Sequence, residues 1–496
     1  MNPMRVVFRF DASPALGAGH AYRCMTLAQS LAQLGWTCHC VANSQAADTV
    51  PRLRSNPAFT LGDAATFAGR ETDWLVVDHY GLDAAWERQC RGWAKSILVI
   101  DDLADRAHDC DLLLDQTYGR SAEDYAGVVP SPCRLLTGSD YALLRPDFAR
   151  ARQGSLHRRR GPASLQRILV SLGATDPGNY SLETLKGIAE SHTTAAVDVV
   201  LGAGAPHLHS VRTQIAAMAQ EVRLHVDTAN MPELLTQSDL AIGAAGTSTW
   251  ERCCLGLPTL LVVVAENQRR TAEAVSGAGA ARLVPGPRAA LAGQIAGELR
   301  SLATDRAALL DMSGRSAGIC DGRGCDRLGL ALVPPGCAKD GRPVALRLAG
   351  PADEAPILEW QHDPATRRFA RNPAVPTAEE HRRWFAARLA NPNSLLTVIT
   401  HGDAPAGVLR LDPIAAADTE GDAPAFEVSI LVAPDRRGVG LALEALCFLR
   451  RWHSRAVIAA EVLSGNEASA ALFRVAGYRP GAGGLLYSHP PQPAMT

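Results

Sequence analysis

Apolar and polar side chains alternate along Met4-Arg5-Val6-Val7-Phe8-Arg9-Phe10, which predicts a strand that opens the fold almost at once. Two continuous apolar runs follow, at 73–78 and 96–101, with an amphipathic stretch at 21–34 that predicts a helix. Short unalternating strands separated by helices imply a parallel sheet covered on both faces, here over residues 1–155. The pattern restarts beyond a stretch at 153–166, with strands expected at 167–172, 197–201, 239–242 and 258–264, in a second doubly wound domain over 162–332. Two such units in tandem predict a ligand cleft between them, at the carboxyl ends of the strands. A breaker-rich stretch from Val333-Pro334-Pro335-Gly336 to Gly341-Arg342-Pro343 ends the pair. Beyond it the rhythm changes: a strand at 345–348, a helix at 376–389, strands at 395–400, 406–411 and 426–432, then a glycine turn and a helix. This reads as an α+β domain over 344–490.

Composition narrows the function classes. The chain of 496 residues carries 49 basic and 51 acidic side chains, so it lacks the basic surface a general nucleic-acid binder needs. Its one basic cluster, His157-Arg158-Arg159-Arg160, precedes Gly161-Pro162 and reads as a solvated linker. No apolar run approaches the roughly 18 residues of a membrane span, and the first residues do not read as a signal peptide. A cytoplasmic protein with no membrane partner is expected. The 12 cysteines form no C-x-x-C pair, and in Cys38-His39-Cys40 a strand would point His39 away from both sulfurs. Reduced structural thiols are the expectation.

Chemistry concentrates in three places. The first strand runs into Asp11-Ala12-Ser13 and then Gly17-Ala18-Gly19-His20, ahead of a helix with Arg23 and Cys24. Gly17 and Gly19 let a backbone approach a ligand closely, and a helix start favours neutral imidazole at His20, the form that works as a general base. On spacing alone a capping or core histidine fits equally. The loop lacks the third glycine of a dinucleotide fingerprint. These residues, with Val77-Asp78-His79-Tyr80-Gly81-Leu82-Asp83, Ile100-Asp101-Asp102-Leu103-Ala104-Asp105-Arg106, Asp111 to Gln116 and Gly138 to Arg145, resemble the nucleotide-sugar hydrolases of pseudaminic acid synthesis. That family removes UDP from UDP-2,4-diacetamido-2,4,6-trideoxy-β-L-altropyranose, in a pathway feeding flagellin glycosylation. The resemblance implies attack of water at the anomeric carbon, with His20 as base and Tyr80 as a second polar group on water or sugar. Without it, Tyr80 could equally end a strand in solvent. Asp101-Asp102 leave a strand on opposite faces and read as a structural turn, and Asp109-Cys110-Asp111 as the start of a buried strand rather than a metal motif.

The second place is Gly246-Thr247-Ser248-Thr249-Trp250-Glu251, leaving a strand and entering a helix. Exposed backbone amides at a helix start favour phosphate, and Glu251 one turn in could accept both ribose hydroxyls. Asn267 and Gln268 follow the next strand and would close the cleft, and Gly173 after the domain's first strand would line it. The set resembles the UDP-binding half of GT-B glycosyltransferases, so the fold class implied is a GT-B-like pair of Rossmann-type domains. A tight strand–helix turn with Glu251 against the helix dipole is the plainer alternative. No metal is expected to assist UDP departure, so turnover should survive EDTA.

The third place is the strand ending at Val432, followed by Pro434-Asp435-Arg436-Arg437-Gly438-Val439-Gly440-Leu441, which resembles the pyrophosphate loop of GNAT acetyltransferases. Asn466 to Tyr478, with Asn466 and Phe473, matches that superfamily's second motif. Acetyl-CoA is the co-substrate this implies, with Val432, Arg437, Gly438, Gly440, Leu441, Asn466 and Phe473 as the residues around it. Asp435 stands where Gln or Arg is usual, and Phe473 where many members have a Tyr acid. Glu427 reads either as a base acting through water or as a solvated strand carboxylate, and Thr377 to Trp384, with Glu380-His381, as the acceptor side. The combined expectation is a bifunctional enzyme that acetylates a UDP-linked 4-amino sugar and then releases UDP. A GT-B glycosyltransferase, or a nucleotide-sugar binding protein with a protein-directed acetyltransferase, are the other readings.

Overall fold

The computed structural model describes residues 3–13, 16–62, 71–161, 165–414, 423–480 and 486–489. It divides into two compact units, one comprising 5–30 and 38–325, the other 1–4, 31–37 and 326–496.

The first unit holds two parallel sheets. Strands β1 (Arg5–Phe10), β2 (Thr37–Val41), β3 (Thr60–Gly62), β4 (Thr72–Asp78), β5 (Ala94–Ile100), β6 (Leu112–Asp115) and β7 (Arg134–Thr137) form a sheet of order β3-β2-β1-β4-β5-β6-β7. Chain order reverses direction between β1 and β4, whose last residues Phe10 and Asp78 lie side by side. A crevice forms at such a switch point because the connections on its two sides leave toward opposite faces. Helix α1 (Gly19–Gln33) starts there, directly after β1. In β2, Cys38 and Cys40 are buried while His39 faces the other way, as strand geometry requires.

The second sheet repeats the design with β8 (Arg167–Ser171), β9 (Ala196–Leu201), β10 (Val222–Val226), β11 (Leu240–Ala244), β12 (Thr259–Val262) and β13 (Arg282–Leu283), in the order β10-β9-β8-β11-β12-β13. Its switch point lies between β8 and β11, where Ser171 pairs with Gly243. Ile168, Val170, Val197, Val199, Leu240, Ile242 and Leu260 are buried along these strands, the near-continuous apolar content that a sheet covered on both faces requires.

The basic cluster at 157–160 is not a solvated linker. It ends a helix, Pro146–Arg159, that packs on the second sheet's domain. Arg159 is buried and donates to the carbonyls of Leu255 at 3.0 Å, Ser238 at 2.6 Å and Leu235 at 2.7 Å. Arg152 serves Cys254, Ala317 and Cys320 in the same way. Helix ends leave carbonyls without intrahelical partners, and a guanidinium with five donors satisfies several at once. Burial, with the neighbouring Arg158 charge, pulls the Arg159 ionisation down to about 9, which still leaves it charged at neutral pH.

In the second unit, the 8-stranded sheet contains β14 (Gly336–Cys337), β15 (Pro343–Leu348), β16 (Leu395–His401), β17 (Ala404–Pro413), β18 (Ala425–Val432), β19 (Val457–Glu461), β20 (Arg479–Pro480) and β21 (Leu486–His489). Neighbours are antiparallel except β18 and β19, which run parallel and pair only from Ala425–Glu427 against Val457–Ala459. Beyond that point the two strands part. The breaker-rich stretch at 333–343 is thus not a plain spacer, since β14 forms a hairpin with β15 at the sheet edge. Helix Leu441–Trp452 follows β18 and buries Leu441, Ala445, Leu446, Phe448, Leu449 and Trp452, an amphipathic stripe at helical spacing. The same unit contains Trp36, whose indole donates to the Trp452 carbonyl at 3.0 Å, and Leu34, whose carbonyl accepts from Ser454 N at 2.9 Å. Among the described residues no helix is long and apolar enough to cross a membrane.

Replacing Arg159 by Met strands three buried carbonyls at once. The expected loss is about 2–4 kcal/mol, since an unsatisfied buried acceptor is worth roughly 1–3 kcal/mol and part of the gap relaxes. Urea unfolding followed by tryptophan fluorescence measures it, and an unchanged midpoint would show the cluster to be ornamental.

Candidate functional site

At the switch point of the first sheet, the ends of β1 and β4 bring together side chains that lie 58 positions apart in sequence. His20 Nδ1 lies 2.5 Å from Asp78 Oδ1, and both residues are buried. A carboxylate only accepts, so Nδ1 carries the proton and Nε2 is the ring nitrogen left with a lone pair. Arg23, one turn further along α1, grips the same carboxylate through Nε and Nη2, each at 2.6 Å, and reaches Asp102 Oδ2 at 3.1 Å. Burial works against the Asp78 charge, but Arg23 first and His20 second outweigh it and hold the carboxyl below the usual range. The result is an Asp–His dyad whose acid stays ionised.

Tyr80, two residues past β4, packs edge-on against the His20 ring with centroids 4.5 Å apart. Its hydroxyl donates to Asp102 Oδ2 at 3.4 Å and accepts from Asn267 Nδ2 at 3.1 Å. Burial, reinforced by Asp102, raises its ionisation, so it is a phenol and a hydrogen-bond donor rather than a base. Asp102 therefore does more than shape a turn: it faces Arg23 and Tyr80, and its buried Oδ1 has no hydrogen-bond partner among the described residues. Its backbone is held by Arg120, which donates to the Asp102 carbonyl at 2.7 Å and pairs with Asp115. Asp101, by contrast, is structural, accepting from Ala104 N, Arg106 and Tyr125. Gly17 bridges back to Ser13, and at both Gly17 and Gly19 the space a Cβ would enter is open.

The second switch point holds the small-residue loop. Gly246 and Thr247 connect β11 to the helix Ser248–Cys254, and Gly173 leaves β8 beside them in the topology. Beneath the loop lies Arg252, fully buried, donating to the Ala244 carbonyl at 2.7 Å, Thr249 Oγ1 at 3.1 Å and Ser248 Oγ at 3.0 Å. A Cβ on Gly243 would stand 2.6 Å from this guanidinium, so only glycine leaves room for it. Glu251 is half-buried, and its carboxylate accepts no hydrogen bond from the described residues. Burial pushes its carboxyl up to about 7, against the pull of Arg145 and Arg252. Gln268 accepts from Val264 N at 3.3 Å, while Asn267 turns to Tyr80. Asp109 and Asp111 both pair with Arg91, which accounts for their spacing without a metal. Among the described residues, no group of three or more His, Cys, Asp or Glu side chains is placed to hold one.

In the other unit, β18 ends at Val432 and the chain turns through Gly438 (φ +84°) and Gly440 (φ +93°) into Leu441, the start of the 12-residue helix. Both glycines occupy left-handed backbone that other residues adopt at a cost. Arg437 points away from this loop, to Asp363 Oδ2 at 2.8 Å and Thr366 Oγ1 at 2.6 Å. Asn466 caps the helix Glu467–Val475 by accepting from Ser469 N, and Phe473 is buried edge-on against Tyr478. Glu427 and Glu461, where β18 and β19 part, share Arg371. Thr377 and Glu380 form a capping box and His381 is buried, donating to the Glu354 carbonyl.

With that geometry in view, the relatives fall into place. Residues 344–479 match the family model described as an acetyltransferase (GNAT) domain, and 173–318 the glycosyltransferase family 28 C-terminal domain. Over 276 residues the chain is 26% identical to the UDP-2,4-diacetamido-2,4,6-trideoxy-β-L-altropyranose hydrolase of Campylobacter jejuni, covering 54% of this chain and 95% of that one. It is 31% identical over 216 residues to the spore coat polysaccharide biosynthesis protein SpsG of Bacillus subtilis, covering 43% and 62%. MurG of Acinetobacter baumannii superposes with a TM-score of 0.49 at 13% identity, covering 66% of this chain and 98% of that one. The chain joins a GT-B-like pair of Rossmann-type domains, similar over 276 residues to the altropyranose hydrolase, to a GNAT acetyltransferase domain over 344–479.

Proposed function

We propose that the first unit hydrolyses UDP-2,4-diacetamido-2,4,6-trideoxy-β-L-altropyranose and that the acetyltransferase domain acetylates the C4 amine of its UDP-linked 4-amino precursor. The observation that carries the hydrolytic half is the Asp78–His20 dyad at the switch point, with Nε2 left free to take a proton. Water loses a proton to Nε2 as its oxygen bonds to the anomeric carbon, and the bond from that carbon to the diphosphate oxygen breaks with its electron pair leaving on UDP. Asp78, ionised throughout, stabilises the imidazolium that forms. Tyr80, uncharged and held by Asn267, turns its one hydroxyl proton from Asp102 to the attacking water or to a sugar hydroxyl. The amides at Gly246, Thr247 and Ser248 receive the diphosphate, and Glu251 the ribose. In the acetyltransferase domain the amine nitrogen attacks the thioester carbonyl, Glu427 takes the amine proton through water, and coenzyme A leaves as the thiolate and takes a proton from water. A soluble, cytoplasmic setting supplies both co-substrates.

Mass spectrometry of the protein incubated with the diacetamido UDP-sugar tests the hydrolysis: free sugar and UDP are expected, and neither from His20→Ala. Asp78→Asn removes the charge that supports the imidazolium, so kcat falls by about 10²–10⁴, and because it also strands the buried Arg23 the variant is expected to melt below the unsubstituted chain. Intact substrate after incubation with the unsubstituted chain rejects the reading, and turnover abolished by EDTA and restored by a divalent ion rejects its metal independence.

Glu251 yields a pH test. Its folded carboxyl titrates at about 7 against an ordinary 4.5, so the fold favours the neutral form and loses stability as pH rises between those values. Glu251→Gln is therefore expected to melt above the unsubstituted chain at pH 8 and level with it near pH 4.5. Its affinity for a uridine diphosphate sugar at pH 8 should drop about ten-fold, the worth of a charge-assisted pair of hydrogen bonds. Calorimetry reads both quantities, and unchanged affinity removes Glu251 from the ribose site.

A further inference from the structure

The acetyltransferase loop has lost the cations a diphosphate needs, and a residue outside the matched domain stands in for them. Asp435 is acidic at its start, and Arg436 pairs with it. Arg437 is committed to Asp363 and Thr366. Each of those arginine charges is thus balanced by a carboxylate. Lys339 comes from the hairpin between β14 and β15, which precedes the 344–479 span. Its backbone amide donates to the Val439 carbonyl at 2.9 Å, and its Nζ to the Gly438 carbonyl at 3.1 Å. Its Cγ lies 3.7 Å from where a Cβ on Gly440 would stand, so the side chain is laid across the loop itself. The adjacent Asp340 is taken by His401 at 2.9 Å, and Lys339 has no carboxylate partner among the described residues. Here is one uncompensated ammonium, exposed, beside a glycine turn and the start of a 12-residue helix.

We infer that Lys339 binds the diphosphate of coenzyme A and replaces the charge missing at Asp435 and withdrawn at Arg437. The inference rests on the acetyltransferase reading of this domain. A carbonyl is a weak partner for an ammonium, so exchanging it for a phosphate oxygen gains a charge-assisted bond without moving the backbone, which the amide bond to Val439 holds in place. The edge hairpin then has a purpose beyond extending the sheet: it delivers the cation.

Isothermal titration of the full chain with coenzyme A and with 3′-dephospho-coenzyme A decides the matter. Lys339→Ala is expected to weaken both about ten-fold, Lys339→Arg to stay within roughly three-fold, and Arg437→Ala to lose less than Lys339→Ala. Equal weakening of the two ligands assigns the ammonium to the diphosphate. Loss confined to coenzyme A would place it on the 3′-phosphate and overturn the inference, as would Lys339→Ala binding within about two-fold of the unsubstituted chain. An unsubstituted chain that binds neither ligand overturns the acetyltransferase reading along with it.

Discussion

A carboxylate buried as completely as Asp78 is tolerable only because Arg23 faces it with two nitrogens at 2.6 Å. Taken from water alone, either ion would be costly, and removing one partner leaves the other stranded. The pairing explains why the neighbours sit as they do. Arg23 needs a position one turn along a helix that starts at the end of β1, and Asp78 needs the last position of the adjacent parallel strand. His20 then pairs with the same carboxylate, and Asp102 takes the third nitrogen of the guanidinium. Imidazole orientation, Tyr80 contact and cleft geometry all follow from one ion pair at a topological switch point.

The two sheets of the larger unit use their switch points differently. The first fills its crevice with charged side chains that compensate one another. The second presents a loop of small residues, with Arg252 buried below and held by carbonyl and hydroxyl oxygens rather than a carboxylate. Among the described residues no carboxylate forms an ion pair with this guanidinium, which lies under the loop proposed for the diphosphate, and its charge adds to the field of the backbone amides there. Asn267 connects the two designs by donating to Tyr80 from the second domain's side.

Much of the architecture was legible in the amino-acid pattern because strands buried on both faces are written as unbroken apolar runs. The strands at 5–10, 72–78, 94–100, 167–171, 196–201 and 425–432 lie within a few residues of where those runs place them. What escaped is instructive. The strand at 336–337 is two residues long and sits among prolines, so breaker chemistry hides it. Arg152 and Arg159 belong to a run whose charge signals solvent, whereas their guanidinia satisfy helix-end carbonyls far along the chain. Motif resemblance gave His20 and Tyr80 roles, but Asp78 and Asp102, in the same motifs, received none at the site, since a carboxylate's value there depends on a partner dozens of positions away. Lys339 lies 99 positions from Gly438, beyond any local pattern.

The presence of residues 31–37 in the same compact unit as the acetyltransferase sheet has a practical meaning for anyone wishing to separate the activities. A gene cut at the Pro334-Pro335 breaker looks natural on composition, yet the C-terminal product would lack Trp36, whose indole reaches the end of the Leu441–Trp452 helix. That product would expose apolar surface around Trp452 and lose the Leu34 carbonyl that Ser454 occupies. Solubility of the fragment, rather than its chemistry, would then limit what it reveals, and point substitutions in the intact chain are the cleaner way to silence either half.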